Sequence, residues 1–317
     1  MVRQVLVVTG PTASGKTDVA IDLQRLLGGT SATRLISVDS TMIYTGMDVG
    51  TAKPDAEVLA NHPHSLIDIR DPAQAYSAAD FVADADAAVQ AALAAEQIPI
   101  LVGGTMMYHR RFREGIAQLP AADPDLRADL SQQLLERGKR AMHDELAAVD
   151  PTAAAKIHPH NTQRLIRALE VFRLSGVPMS QQWQEQATAE ERLGVCLATF
   201  VLPSADRAKL HEQIAQRFDA MVRDGFLEEV RALQARDDLS PALPSMRAVG
   251  YRQAWQHLKG EITQAEFRDQ AIAATRQLAK RQLTWLRGWQ ASWQDLFNLN
   301  GASAPQLAEQ IGTLLNR

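Results

Sequence analysis

Residues 10–17 read Gly-Pro-Thr-Ala-Ser-Gly-Lys-Thr, an instance of G-x-x-x-x-G-K-[ST]. The chemistry such a run supports is the cradling of phosphate. Glycines let backbone N–H groups turn inward around phosphate oxygens, so Gly10, Thr12, Ala13, Ser14 and Gly15 are candidate diphosphate-binding positions. Lys16 adds a point charge, and the Thr17 hydroxyl is the candidate Mg²⁺ ligand. Two further groups belong to the same chemistry. Asp39 follows the apolar run Leu35-Ile-Ser-Val38, and Gly103-Gly104-Thr105 follows Ile98-Pro-Ile-Leu-Val102. By position alone Asp39 is a metal-holding carboxylate, a general base that takes a proton from a weak nucleophile, or a helix cap.

These residues need a frame that brings strand ends together. Val5-Leu-Val-Val8 is a continuous apolar run of the kind buried on both faces of a parallel sheet. A helix is expected from about Asp18 to Leu27, stopped by Gly28-Gly29, and an Ala-rich helix from Phe81 to Gln97. Strands alternating with helices predict an α/β protein with a doubly wound parallel sheet. The carboxyl ends of such strands share one edge, so Asp39, Thr105 and the phosphate loop should face one crevice. Residues 123–192 carry helical periodicity and no convincing strand, and Val195 to Leu202 returns to a strand-like run. The expected organisation is a phosphate-loop core of residues 1–120 and 193–317, with a mainly helical insertion at 121–192.

Composition narrows the class. In 317 residues, 46% are hydrophobic and 22% charged, which excludes disordered and fibrous chains. One cysteine, Cys196, excludes an intrachain disulfide and a Cys-rich zinc cluster and fits a reducing compartment. No apolar run reaches the roughly 20 residues of a membrane span, and the N-terminal apolar run reads as a strand, so a cytoplasmic protein is expected. The net charge of −4 argues against nonspecific coating of nucleic acid. Yet residues 247–287 hold 8 Lys/Arg against 3 Asp/Glu, a local +5, while residues 1–100 hold 6 against 12. A polyanion should therefore bind at one place.

Several stretches, in order, resemble the tRNA dimethylallyltransferases, the tRNA isopentenyltransferase family. They are GPTASGKT at 10–17, SVDSTMIYTGMDVGTAKP at 37–54, HSLIDIRDPAQAYSAADF at 64–81, LVGGTMMY at 101–108, QRLIRALEVF at 163–172, RAVGYRQAW at 247–255 and TRQLAKRQLTWLR at 275–287. The resemblance implies transfer of a dimethylallyl group from dimethylallyl diphosphate to N6 of adenine 37 of tRNA. It makes Asp39 the base, places Thr105 at the reacting centre, and gives Lys16, Thr17 with Mg²⁺, and Arg247 to the diphosphate. It implies a flipped base entering a channel from one end and the prenyl diphosphate from the other. The positions matching tRNA-contacting segments are Asp39, Ser40, Thr41 and Met42, then Arg127, then Gln163, Arg164, Leu165, Ile166 and Arg167. Arg247, Ala248, Val249, Gly250, Tyr251 and Arg252 complete the set. The chain departs from the family at Met42, often Gln, and at His109-Arg110, more usually an aromatic-Lys pair. His160-Asn161-Thr162 likewise replaces a common Asn-Asp-Pro.

On a helix through 271–289, Arg276, Lys280 and Arg287 fall on one stripe, with Leu278, Trp285 and Trp289 opposite. This stripe, with Arg281 in the same matched stretch, is expected to face the tRNA backbone; a solvated charged face is the plainer alternative. Arg167 could instead pair with Glu170, and Tyr251, Trp255 and Trp285 could either stack on bases or fill a core. His62-Pro-His64 and His158-Pro-His160 read as turns rather than metal sites. The competing functions are a phosphate-loop kinase, which would release ADP, an enzyme prenylating free adenine nucleotides, and a non-catalytic RNA-binding protein. The expected partners are a tRNA anticodon stem-loop and dimethylallyl diphosphate, with the protein a monomer.

Overall fold

A computed structural model of the chain describes residues 3–117, 119–182, 186–203, 206–301 and 303–315. Its first compact unit comprises residues 1–113 and 189–317, and its second residues 114–188. These boundaries differ by a few residues from those expected at 120 and 192. The helix Ala189–Leu193 belongs to the first unit, where Arg192 is paired with Asp86 at 2.6 Å and donates to the Phe112 carbonyl.

In the first unit the chain runs β1 (Arg3–Thr9), α1 (Lys16–Leu26), β2 (Thr33–Val38), α2 (Ala56–Asn61), β3 (His64–Ser65), α3 (Ala78–Ala94), β4 (Ile98–Gly103) and α4 (Met106–Glu114). All described strand pairs are parallel, in the order β3-β2-β4-β1-β5-β6 once β5 (Val195–Val201) and β6 (Leu296–Asn298) join. The apolar runs behave as expected: Val5, Leu6, Val8, Leu35, Ile36, Ile100 and Leu101 are buried because helices cover both sheet faces. β1 lies between β4 and β5, so the crevice opens at its carboxyl end, where the strand order reverses direction.

The second unit packs α5 (Pro124–Val149), interrupted at Gly138, with α6 (Pro151–Lys156), α7 (Thr162–Ser175) and α8 (Met179–Gln182). Its own core gathers Leu130, Met142, Leu146, Leu165, Ala168, Leu169 and Val171. After α9 (Ala189–Leu193) and β5, the first unit continues through α10 (Arg207–Arg223), α11 (Phe226–Gln234), α12 (Tyr251–Leu258) and α13 (Gln264–Gln290). The terminal α14 (Ala304–Leu315) lays Leu307, Ala308 and Ile311 into the main core with Val19, Ala20 and Leu23 of α1. Among the described residues no helix is long and apolar enough to cross a membrane.

Candidate active site

The phosphate loop joins β1 to α1 as its pattern requires. Ala13 and Gly15 both take positive φ, 61° and 73°, so the loop turns through two left-handed residues; Gly15 does so without steric cost. Lys16 then opens α1. Burial of its ammonium lowers the pKa to about 8, with nearby Asp39 partly restoring it and the guanidinium of Arg217 lowering it further. Ser14 Oγ is buried and has no hydrogen-bond partner among the described residues.

Asp39 sits at the first turn after β2. Its Oδ1 accepts from Thr41 N at 2.9 Å, Thr41 Oγ1 at 2.6 Å and Met42 N at 3.4 Å. One carboxylate oxygen thus builds the turn, and among the described residues the other, Oδ2, accepts no hydrogen bond. Thr105 fixes the same turn from β4: its Oγ1 accepts from Ser40 N at 3.0 Å, and its own N–H donates to the Val38 carbonyl at 3.2 Å. A cavity of about 570 Å³ at this edge is lined by Lys16, Thr17, Asp39, Thr41, Met42 and Arg247, among others. Its less polar wall includes Tyr44, Tyr108, Phe218, Met221 and Phe226. Of the three groups expected to share one crevice, the phosphate loop and Asp39 line this cavity, joined by Arg247, whereas Thr105 stands one hydrogen bond behind Asp39's turn, its hydroxyl occupied by Ser40 N.

Three residues of this region escaped the sequence reading. Arg217 of α10 lines the cavity; burial lowers its pKa, and Asp39 and Asp18 act in the opposite sense. Its signal was an arginine in the apolar stripe of Leu210, Ile214 and Met221, at i, i+4 and i+11, where Arg217 occupies i+7. Glu229 of α11 draws the 48–50 loop together. Its Oε2 accepts from Asp48 N and Val49 N, each at 2.7 Å, and its Oε1 from Gly50 N and the Tyr251 hydroxyl. Gln282 is a polar residue on the buried stripe of α13.

Other expectations need correction. Tyr251 is 1% exposed, packed edge-to-face on Phe226 and bonded to Glu229, so it serves the core and not base stacking. Gly250 and Trp255 are buried as well, whereas Arg247 and Arg252 are exposed and Ala248 and Val249 line the cavity. In the second unit Leu165 is fully buried, so its side chain packs and cannot touch RNA, while Gln163 and Arg164 are exposed and Ile166 is half-buried. Arg127 and Arg167 both hold the buried Glu170, at 2.8 and 2.6 Å, and Arg167 also donates to the Pro120 carbonyl. Burial alone would raise the Glu170 pKa; Arg167, the Asp123 amide and Arg127 together hold it below the ordinary carboxylate range. On α13 the buried stripe is Phe267, Ala271, Ala279, Gln282, Leu286 and Trp289; Leu278 faces the cavity instead, and Trp285 is half-buried under Arg110. The reason is a helical phase set by Gln282, which the apolar residues alone did not reveal.

Arg276, Lys280 and Arg287 do share a face, lining a second cavity of about 760 Å³ with Arg207 and His211, and Arg281 is exposed. The Nε of Arg276 is buried there and has no hydrogen-bond partner among the described residues. His109, one of the departures, is buried and donates from Nε2 to the Gly103 carbonyl at 3.0 Å; burial pushes its pKa down to about 4, so it is a neutral tie between α4 and β4. His62 and His64 bond to Gln24 and to the His62 carbonyl, and no group of three potential metal ligands occurs among the described residues.

The IPP transferase family model matches residues 42–289 of this chain. A tRNA dimethylallyltransferase of Chromohalobacter salexigens is 55% identical over 291 residues, covering 92% of this chain and 91% of that protein. The chain belongs to the IPP transferase family. As a member it is an enzyme, a transferase of a prenyl group. Among solved structures, a tRNA isopentenylpyrophosphate transferase from Bacillus halodurans is 32% identical, with a TM-score of 0.68 over 100% of this chain and 96% of that one. A homologous enzyme from Staphylococcus epidermidis is 29% identical, with a TM-score of 0.67 and 99% coverage of both chains. A eukaryotic dimethylallyltransferase acting on tRNA, 22% identical, shares the fold with a TM-score of 0.80, over 99% of this chain and 80% of that one.

Proposed function

We propose that the enzyme transfers a dimethylallyl group from dimethylallyl diphosphate to N6 of adenine 37 in tRNA, releasing diphosphate. The observation that carries this reading is one cavity holding a phosphate loop, a carboxylate with one unengaged oxygen and an uncharged wall. The phosphate loop, Lys16, Arg217 and Arg247 bind the diphosphate, and the aromatic wall takes the prenyl chain. Thr17 and the diphosphate oxygens offer Mg²⁺ the hard donors it prefers, because that ion commonly pairs a few protein oxygens with substrate phosphates and water. When bound, Mg²⁺ neutralises charge on the leaving group.

An exocyclic adenine amine is a weak nucleophile. As its lone pair forms the N6–carbon bond, the allylic carbon–oxygen bond breaks and its electron pair leaves with the diphosphate. The surplus N6 proton passes to Asp39 Oδ2. Because an allylic carbon ionises readily, stabilising the leaving group lowers the barrier most, and fixed cations at the phosphate loop do so without reorganising.

The target base must leave the anticodon loop stack to reach a carbon at the cavity floor. Asp39 to Met42 and Arg247 are assigned to tRNA at the cavity, and the exposed Arg252 is assigned to tRNA outside its lining. Met42 contributes apolar contact where an amide would have hydrogen-bonded. Arg276, Lys280, Arg281 and Arg287 serve the RNA backbone, and Gln163 and Arg164 do so from the insertion. The reading also takes the enzyme to work as a monomer, in the cytoplasm with its tRNA. Incubation with dimethylallyl diphosphate, Mg²⁺ and an anticodon stem-loop should yield N6-dimethylallyladenosine by nucleoside mass spectrometry. Prenylation of free AMP alone, or ADP release from ATP, would replace this reading with one of the other two enzymes.

A further inference from the structure

A glutamine amide on an otherwise apolar helix face is costly unless both ends are hydrogen-bonded. Gln282 of α13 is 5% exposed among Ala279, Leu286 and Trp289, and both its ends are satisfied by main-chain groups of two different loops. Its Oε1 accepts from the Thr12 N–H at 2.8 Å, in the phosphate loop after β1. Its Nε2 donates to the Gly104 carbonyl at 2.8 Å, in the turn after β4. The amide orientation follows from its partners, because Thr12 N can only donate and Gly104 O can only accept. Thr12 N–H is therefore engaged by Gln282 and anchors the loop, which corrects the expectation that this amide is one of the diphosphate donors.

The contact is close on every side. A Cβ added at Gly104 would lie 2.8 Å from Gln282 Nε2, 3.3 Å from Lys16 Cε and 3.4 Å from Lys16 Nζ. A side chain at Gly104 would press on the ends of the glutamine and the phosphate-loop lysine, so glycine lets these two meet the β4 turn undisturbed. The next residue, Thr105, accepts from Ser40 N, and Ser40 follows Asp39 directly. A continuous hydrogen-bonded path thus runs from the phosphate loop through Gln282 and the β4 turn to the turn that presents Asp39.

We propose that Gln282 is a positioning residue that sets the spacing between the diphosphate-holding loop and the base. The inference rests on the functional reading above, in which the allylic carbon lies between a leaving diphosphate and an amine facing Asp39. Bond making and bond breaking then occur at opposite sides of one carbon. Slack between the two loops lowers the fraction of bound complexes in reactive geometry and leaves ground-state binding largely intact. A misplacement of about 1 Å costs on the order of 10²-fold in such settings.

The test is single-turnover transfer at saturating dimethylallyl diphosphate and stem-loop, with melting temperature and pyrophosphate affinity measured on the same samples. Gln282→Met keeps the volume and loses both hydrogen bonds; its transfer rate should fall about 10–100-fold, with pyrophosphate and stem-loop affinities near wild type. Gln282→Glu keeps the acceptor for Thr12 N–H and loses the donor to Gly104; it too should be slow at saturation, and serves if the Met variant does not fold. Gly104→Ala should cost less in a Gln282→Ala background than in the wild type, because the methyl then has room. A folded Gln282→Met or Gln282→Glu protein with the wild-type transfer rate overturns the proposal. Lys16→Ala separates the two levels: if it keeps full pyrophosphate affinity, the placement of the diphosphate is wrong whatever Gln282 does.

Discussion

The insertion and the crevice both carry basic residues, yet they use them in opposite ways. In the insertion Arg127 and Arg167 converge on Glu170, and Arg173 and Arg137 on Glu145, with Arg173 reaching Asp129 as well. At the crevice, Lys16, Arg217 and Arg247 form no ion pair within 4.0 Å among the described residues. The fold bears a cost there, visible in the Lys16 pKa near 8. A cation matched to a buried carboxylate is structural, whereas a crowded cation without one is kept for an anionic ligand. Mutations should therefore separate the regions: losses of chemistry in the crevice, losses of stability in the insertion.

The largest effect should come at Asp39. Asp39→Ala should lower kcat by on the order of 10²–10⁴ with stem-loop affinity nearly unchanged. A variant that regains its rate with added Mg²⁺ would make Asp39 a metal ligand.

On the insertion side, Glu170→Gln breaks a buried charge network and should destabilise that unit by about 3 kcal/mol, read by denaturant unfolding. The Glu170 carboxyl is held below its ordinary pKa in the folded state. Its contribution is therefore complete above the ordinary carboxylate range and is lost as pH falls through the lowered folded value. Arg127→Ala and Arg167→Ala should lower stability in the same direction. If they instead weaken tRNA binding in a fully stable protein, their contact with Glu170 is incidental and they belong to the RNA surface.

The Lys16 pKa gives a sharper view of the crevice. With a free-enzyme value of about 8, the ammonium is lost as pH rises through that point. kcat/KM for dimethylallyl diphosphate should then fall by about tenfold per pH unit above it, since that ratio reports free-enzyme ionisations. Lys16→Arg should flatten the profile, because a guanidinium stays charged. A Lys16→Arg profile that still falls at the same pH assigns the ionisation elsewhere.

The smallest effect belongs to the stripe on α13. Replacing Arg276, Lys280 and Arg287 with Gln should flatten the log–log salt dependence of stem-loop binding by roughly two units if all three meet phosphate. Discrimination around the target adenine should persist. An unchanged slope would leave the stripe facing solvent.

Much of the crevice was legible because its signals are local. A phosphate loop must lie between strand and helix, and apolar runs such as Leu35–Val38 place Asp39 and the β4 turn at a shared edge. Other features depended on distant partners. Tyr251 sits in a matched motif, but its role is decided by Glu229, 22 positions away, and by Phe226. The facing of α13 was misread because its buried stripe contains Gln282, whose partners lie 270 and 178 positions earlier. The short strands β3 and β6 have two and three residues, too few for periodicity to register. The C-terminal segment showed no motif, yet α14 closes the core over α1, a packing role that its spacing of Leu307, Ala308 and Ile311 serves.

The contrast between matched and unmatched cations is tested most directly by calorimetric titration of pyrophosphate with Mg²⁺ into the wild type and single alanine variants. Lys16→Ala, Arg217→Ala and Arg247→Ala should each weaken binding about 10–100-fold, as expected for a lost charge-assisted hydrogen bond. Arg127→Ala and Arg167→Ala should bind pyrophosphate as the wild type does. Wild-type affinity in the three crevice variants, or an equal loss in the two insertion variants, would contradict the account.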